Sequence, residues 1–117
     1  MDKIFTALGL MSGTSMDGVD ASIIKSDGHS KFVNVLDKYW EFDISLHKKL
    51  IDLRNEIVTT DKLIKFSNEL KILERELTIF HSRIVNEIIS NYSGNIDLIG
   101  FHGQTIFHDP ANRISKQ

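Results

Sequence analysis

Two apolar runs flank a loop rich in glycine and hydroxyl residues near the start of the chain. Residues 4–25 read IFTALGLMSGTSMDGVDASIIK. The run at 4–11 is short, apolar and bounded by a Ser/Gly/Thr cluster, which is typical of a buried strand, and 19–25 is a second β-rich run. The stretch therefore predicts a strand, a polar loop and a second strand, around which the rest of the fold is built.

A third strand follows a short turn. Asp27-Gly28 is a strong turn signal, and residues 32–42 alternate and are rich in Val, Tyr, Trp and Phe. Three strands joined by short connections predict an antiparallel meander.

The hydrophobic period then becomes helical. Asp43 or Ser45 can cap a helix running to about Val58, and its apolar residues share one face: Leu46, Leu50, Leu53 and Ile57. Thr60 or Asp61 can cap a second helix that ends before Gly94. Its apolar stripe indicates core, with a coiled-coil partner as the alternative: Leu63, Phe66, Leu70, Leu73, Leu77, Phe80 and Ile84.

The second helix is too long for a small compact domain. Residues 60–92 as one helix would span roughly 48 Å, whereas a compact domain of this length is about 35 Å across. Either the helix breaks near Ser67-Asn68 or it belongs to something larger. An apolar strand at 96–101 is expected beside the first strand and parallel to it. Residues 111–117 are expected to form no strand or helix, which leaves that strand at a sheet edge.

Composition narrows the class of protein. The 117 residues suffice for one ordinary domain. The net charge of −2 excludes a basic footprint over the whole chain, so no nucleic-acid partner is expected. The absence of cysteine excludes disulfides and thiolate metal sites. No membrane segment is expected, and a cytoplasmic location is the default.

The loop between the first two strands has the parts of a nucleotide-phosphate site. Gly13 and Gly18 let the backbone turn sharply and approach a ligand. Three hydroxyl side chains and successive backbone N–H groups could wrap a phosphate. Asp17 and Asp20 could hold Mg²⁺, directly or through water.

Two other glycine-containing motifs do not fit this loop. The spacing from Gly13 to Gly18 matches a Walker A loop, but Val19-Asp20 stands where Lys-Ser/Thr is required and a strand follows instead of a helix. The loop is not a nucleophile elbow either, because Asp17 stands where that motif requires its second glycine. An ordinary hairpin turn remains an alternative, since Gly, Ser and Asp are common turn residues.

A second polar segment follows the last predicted strand, where ligands of α/β sheets tend to bind. His102, Gln104 and Thr105 are donors and acceptors suited to a sugar-like ligand, although a plain polar turn is the alternative. His102, His108 and Asp109 lack a recognisable zinc spacing. The remaining histidines are expected at surface or boundary positions: His29, His47 and His81.

Two motifs resemble those of one kinase family. Residues 9–20, GLMSGTSMDGVD, closely resemble the opening motif of the anhydro-N-acetylmuramic acid kinases. Residues 100–105, GFHGQT, with the following His108-Asp109-Pro110, resemble the family's second motif. Both stand in the family's order, and the resemblance covers essentially the whole chain.

The resemblance implies a fold and a reaction. The fold would be α/β, a ribonuclease-H-like lobe of the superfamily of acetate and sugar kinases, heat-shock ATPases and actin, with residues 1–117 as a partial N-terminal lobe. The reaction would use ATP to open the 1,6-anhydro ring of anhydro-N-acetylmuramic acid and give N-acetylmuramic acid 6-phosphate, a step of cell-wall recycling.

The same resemblance assigns roles to residues. The ATP-phosphate residues would be Gly13, Thr14, Ser15, Met16, Asp17, Gly18, Val19 and Asp20. The sugar side would include His102, Gly103, Gln104 and Thr105. The family's general-base aspartate corresponds to a position beyond Gln117, so no catalytic residue is assigned within these 117 residues.

Three functional hypotheses stay open. The chain could be the N-terminal lobe of a sugar kinase that binds ATP and an amino sugar and pairs with the missing C-terminal portion or a homodimer mate. It could instead be a non-catalytic nucleotide-binding or interaction module derived from that lobe. The third is an α/β domain whose loop is only a turn.

Overall fold

The computed structural model describes residues 3–13 and 15–117, and a four-stranded mixed sheet forms its centre. Three strands come first, then three helices, then three short strands. In chain order the elements are β1 (Phe5–Met11), β2 (Gly18–Ser26), β3 (Phe32–Glu41), α1 (Ile44–Glu56), α2 (Thr60–Lys65), α3 (Ser67–Asn91), β4 (Leu98–Phe101), β5 (Phe107–Asp109), a 3₁₀ turn (Pro110–Asn112) and β6 (Ile114–Lys116).

The sheet order is β3-β2-β1-β4, so the predicted meander is confirmed. β1 and β2 pair antiparallel from Phe5↔Ser26 to Met11↔Asp20. β4 lies parallel to β1, with Ala7 opposite Leu98, as the helical crossover predicts. Asp97 fixes this register, because the Thr6 N–H donates to its carboxylate at 2.8 Å and its own N–H donates to Thr6 O at 2.8 Å.

The core lies between one face of the sheet and the helices. Alternate residues of β1 and β2 point into it, as period-2 alternation requires, and they meet the apolar faces of α1 and α3. The largest side chains that are fully buried are Leu8, Met16, Val19, Ile23 and Leu50. The residues of the stripe predicted from helical spacing belong to this core or pack against it, so the stripe is core packing within the chain and not a coiled-coil seam.

The opposite face of the sheet and its β4 edge are uncovered. Leu98, Ile99 and Phe101 are each about half exposed, although they are large apolar residues. β4 is the outermost strand of this sheet, as expected. The radius of gyration, 16.6 Å, exceeds the value of about 13 Å typical of a compact domain of this size.

The helices refine the predicted boundaries. Asp43 caps α1, since its carboxylate accepts the Leu46 N–H at 2.8 Å. Residues 60–92 do not form one helix: α2 ends at Lys65, Phe66 separates the two helices, and α3 begins at Ser67, close to the expected break. α3 ends at Asn91, and Tyr92 takes an extended backbone without the left-handed glycine cap expected at Gly94.

The C-terminal residues correct the expectation of an unstructured tail. β5 and β6 form an antiparallel pair in register from Phe107↔Lys116 to Asp109↔Ile114. The turn between them is closed by Asp109, whose carboxylate accepts a bond from the Asn112 side chain at 2.8 Å, and by Arg113 in the left-handed conformation. Three-residue strands are too short to produce a period that the sequence can reveal.

Within the part of the chain that the structure describes, none of the helices combines the length and apolarity needed to cross a bilayer.

Candidate functional site

The two sequence motifs meet at one edge of the sheet. Because β1 and β4 are parallel, the loop after β1 and the segment after β4 leave the sheet side by side. The Gln104 amide nitrogen donates to the Gly13 carbonyl oxygen at 2.9 Å, across 91 residues of chain. This bond joins the predicted phosphate loop directly to the predicted sugar segment.

The loop from Ser12 to Gly18 is tightly folded at its start. The Met16 N–H donates to Gly13 O at 3.1 Å, so this carbonyl accepts two hydrogen bonds. Met16 has a φ of 59°, which is uncommon outside glycine, asparagine and aspartate, and its side chain is buried in the core. The apolar anchor holds this left-handed residue in place. Thr14 lies outside the described residues.

The predicted phosphate residues divide into exposed and buried groups. Ser15, Asp17 and Asp20 expose their side chains. The side chains of Met16 and Val19 are buried in the core, so only their backbone atoms could face a ligand.

Gly18 is explained by packing. A Cβ at this position would overlap the Trp40 carbonyl oxygen and lie 2.7 Å from the Tyr39 hydroxyl. Gly13 differs, since a Cβ there would meet only Ser15 Oγ at 3.9 Å. Of the two glycines predicted to admit a ligand, Gly13 has the open space and Gly18 does not.

Carboxylates gather around Tyr39 at the far end of the loop. Burial, followed by the charges of Asp17, Glu41 and Asp20, raises the pKa of the Tyr39 hydroxyl above its ordinary value. Asp17 and Asp20 thus lie close enough to one phenol to influence its ionisation. Among residues 3–13 and 15–117 no cluster of three or more His, Cys, Asp or Glu side chains is placed to hold a metal ion. Two exposed carboxylates suit a cation such as Mg²⁺, which keeps several waters and phosphate oxygens as ligands.

The second motif also divides into inward and outward residues. Gln104 is only 4% exposed, and its side-chain oxygen has no hydrogen-bond partner within the described structure. Gly103, with a φ of 83°, turns the chain before it. His102 is exposed, and the Gln117 amide nitrogen lies 3.3 Å from both of its ring nitrogens. Thr105 is half-buried.

A groove on the open face of the sheet adjoins both motifs. Gly9 and Gly100 pair with each other across β1 and β4, and a Cβ on either would meet nothing within 4 Å. The groove has a volume of about 550 Å³, and its lining includes Asp20 of the first motif and His102 of the second. The groove is therefore a ligand-sized space bordered by the carboxylate of Asp20 and the imidazole of His102.

His81 corrects the expectation of a surface or boundary histidine, for it is only 4% exposed. Its Nδ1 lies 2.7 Å from Leu77 O, its Nε2 lies 3.3 Å from Ser12 Oγ, and its ring meets that of Phe101 edge-on at 4.7 Å. Helical spacing could have found it, since position 81 is four residues beyond Leu77 and three before Ile84 on the apolar stripe. His29 is exposed and His47 half-buried, as expected.

The buried His81 ring makes stability depend on pH. Burial lowers the pKa of His81 below its ordinary 6.5, and the bond to Leu77 O opposes this only in part. At mildly acidic pH the unfolded chain therefore binds a proton at His81 that the folded chain does not. The contribution of the neutral, buried ring to stability is present above pH 6.5 and falls as the pH drops below that value. We expect the free energy of unfolding to drop by up to about 1.4 kcal/mol between about pH 7.5 and about pH 5.5.

Urea unfolding at the two pH values measures this drop. His81→Gln should lose the dependence attributable to the buried ring, whereas His47→Gln, at a more exposed site, should keep it. An equal drop in the His81 variant and the unmodified chain would show that His81 does not cause it.

Comparison with known proteins agrees with the two motifs. The family model described as anhydro-N-acetylmuramic acid kinase matches residues 5–117. A protein named anhydro-N-acetylmuramic acid kinase from Pelagibacter ubique is 51% identical over 117 residues, covering all of this chain and 31% of its own length. Proteins of the same name from Agrobacterium fabrum and Rhizobium etli are 36% and 32% identical, again over all of this chain and 32% of their own lengths. The chain spans about a third of the length of these curated relatives.

Proposed function

Because the chain belongs to the anhydro-N-acetylmuramic acid kinase family, we propose that it supplies the phosphate-binding part of an ATP-dependent kinase acting on anhydro-N-acetylmuramic acid. The reaction would consume ATP and water, open the 1,6-anhydro ring and leave N-acetylmuramic acid 6-phosphate and ADP. The observation that supports the proposal best is the hydrogen bond between Gln104 and Gly13, which holds the two family motifs next to each other.

The loop would hold ATP mainly through its backbone. Gly13 offers unobstructed access, and the exposed Ser15 hydroxyl can donate to a phosphate oxygen. Backbone N–H groups suit a phosphate because several of them in one turn can donate to the same anion, and they bring no negative charge near it. Asp17 and Asp20 would hold Mg²⁺ through water, and the ion would offset phosphate charge.

The sugar side would lie against the second motif. His102 lines the open groove, which has room for a sugar ring, and the half-buried Thr105 follows in the same segment. Gln104 acts chiefly by tethering Gly13, since its nitrogen is already engaged. These roles make His102 the better candidate for direct sugar contact.

The partner would be the remaining two-thirds of the kinase polypeptide or a second copy of this chain. The uncovered β4 edge presents backbone N–H and C=O groups beside exposed Leu98, Ile99 and Phe101, a surface suited to strand addition.

We also propose that the chain is a partial N-terminal lobe with a ribonuclease-H-like fold, in the superfamily of sugar kinases and actin, and that it works in the cytoplasm.

The alternative function is a non-catalytic nucleotide-binding or interaction module. The same exposed β4 edge favours it, because a module of this kind works by pairing with another chain. Binding without turnover, in the presence of a partner, is the behaviour that would identify it.

The affinity of the loop for nucleotide is testable by substitution. Gly13→Val should abolish binding of magnesium-ATP, because the branched side chain fills the space through which a phosphate approaches the backbone. Titration calorimetry on the 117-residue chain measures the affinity, which should be weak because one side of the site is open.

Gly9→Val provides the matched control. It adds the same side chain where nothing lies within 4 Å, on the open face of the sheet. Binding lost in Gly9→Val but kept in Gly13→Val would move the nucleotide from the loop to the groove.

A further inference from the structure

A buried line of hydrogen bonds runs from α3 to the beginning of the phosphate loop. His81 Nδ1 lies 2.7 Å from Leu77 O, and a carbonyl can only accept, so Nδ1 carries the proton. The neutral ring then presents Nε2 as an acceptor. Ser12 Oγ, 3.3 Å away, donates to it.

This line reaches the loop at the residue before Gly13. Ser12 is only 3% exposed, so its hydroxyl is not available to solvent or to a ligand in the open groove. Gly13 is held in turn by Gln104 from the segment after β4. Two consecutive loop residues are thus anchored from two different parts of the fold.

The surroundings of His81 restrict its ring to this orientation. Phe101 meets it edge-on at 4.7 Å, and Phe80 does so at 6.4 Å. A ring that only filled space could be replaced by any side chain of similar volume. The bond from Ser12 instead requires an acceptor at the position of Nε2.

We propose that His81 is a positioning residue for the phosphate loop: acting through Ser12, it fixes the backbone at Gly13 in the orientation that receives a phosphate. The proposal rests on the proposed function for its ligand. Its structural part, the ordering of the loop by His81, stands separately.

Two isosteric variants separate positioning from packing. The terminal amide of His81→Gln can place an oxygen near the position of Nε2 and still accept from Ser12. The shorter His81→Asn places its nitrogen near the position of Nδ1, so it keeps the bond to Leu77 O and loses Ser12. Ser12→Ala removes the same bond from the other side.

The first readout is affinity for magnesium-ATP by calorimetry on the 117-residue chain. His81→Asn and Ser12→Ala should each weaken binding about tenfold, the usual worth of one hydrogen bond. The double variant should be no weaker than either single one, because both remove one interaction. His81→Gln should bind within about threefold of the unmodified chain.

The second readout needs no ligand, so it separates this proposal from the proposed function. The Met16 N–H donates to Gly13 O, and its hydrogen exchange, followed by NMR, reports loop order. Exchange should be about tenfold faster in Ser12→Ala and His81→Asn and unchanged in His81→Gln. The Leu46 amide at the α1 cap should not change in any variant.

The two readouts distinguish the positioning role of His81 from the proposed function. If the unmodified chain binds no nucleotide but the exchange pattern holds, the proposed function fails and the positioning role stands. Met16 exchange that is the same in all four variants and the unmodified chain overturns the positioning role. So does a rate that tracks only the global stability of each variant, with His81→Gln no better than His81→Asn.

Discussion

Gly18→Ala is expected to lower the free energy of unfolding by about 3 kcal/mol or more, or to prevent folding. The added methyl would overlap the backbone carbonyl of Trp40 on β3 and press on the Tyr39 hydroxyl. The tyrosine ring can move, but the carbonyl belongs to the strand that pairs with β2 and cannot shift without breaking that pairing. Urea unfolding followed by circular dichroism measures the loss.

Gly9→Ala is the control, since it makes the same chemical change in a strand of the same sheet where no atom lies within 4 Å. It should change stability by less than about 1 kcal/mol. Equal stability of the two variants would mean that Gly18 is not close-packed, and its place in the motif would then require a ligand as the explanation.

The 117-residue chain alone is expected to show no detectable phosphorylation of anhydro-N-acetylmuramic acid. General-base catalysis typically contributes about 10²–10⁴-fold, and closure around the substrate adds orientation and water exclusion. Asp17 and Asp20 are exposed, and under the proposed function they would hold the metal ion and not activate the attacking water. His102 is a conceivable base, but it is exposed to solvent beside Gln117.

The assay is product formation from the sugar and magnesium-ATP with purified chain. Adding in trans the part of the Pelagibacter ubique relative that this chain does not match should restore turnover, and Gly13→Val in this chain should remove it again. Turnover of the chain alone near a typical enzyme's roughly 10 s⁻¹ would contradict the prediction and direct attention to His102.

The sheet and the main helices could be predicted because period and burial agree along them. Leu46, Leu50, Leu53 and Ile57 fall on one face by spacing and are all buried. The parallel placement of β4 followed from the helical crossover, and it alone brings the two motifs to one edge of the sheet. The break at Phe66, next to Ser67-Asn68, is one of the two alternatives that the length of residues 60–92 leaves open, and no local signal marks it.

The details of the site could not be predicted, because they depend on where side chains point. The sequence predicts that Gln104 contacts a ligand. In the structure the residue before it, Gly103, has a left-handed backbone, and the Gln104 side chain donates to Gly13 O instead. His81 is a polar residue on an apolar helix face. Its partner Ser12 is 69 residues away in sequence, so only the tertiary structure reveals their contact. Both polar residues satisfy the loop's own backbone and hydroxyl groups.

The parallel pairing of β1 with β4 also sets an order of assembly. The meander is complete once residue 41 is available, and its strands are neighbours in sequence. The hydrogen bond at Gly13 needs Gln104, which is made 91 residues later, after all three helices. A growing chain can therefore form most of its sheet long before its binding loop is held, and the loop's geometry is among the last features that folding can establish.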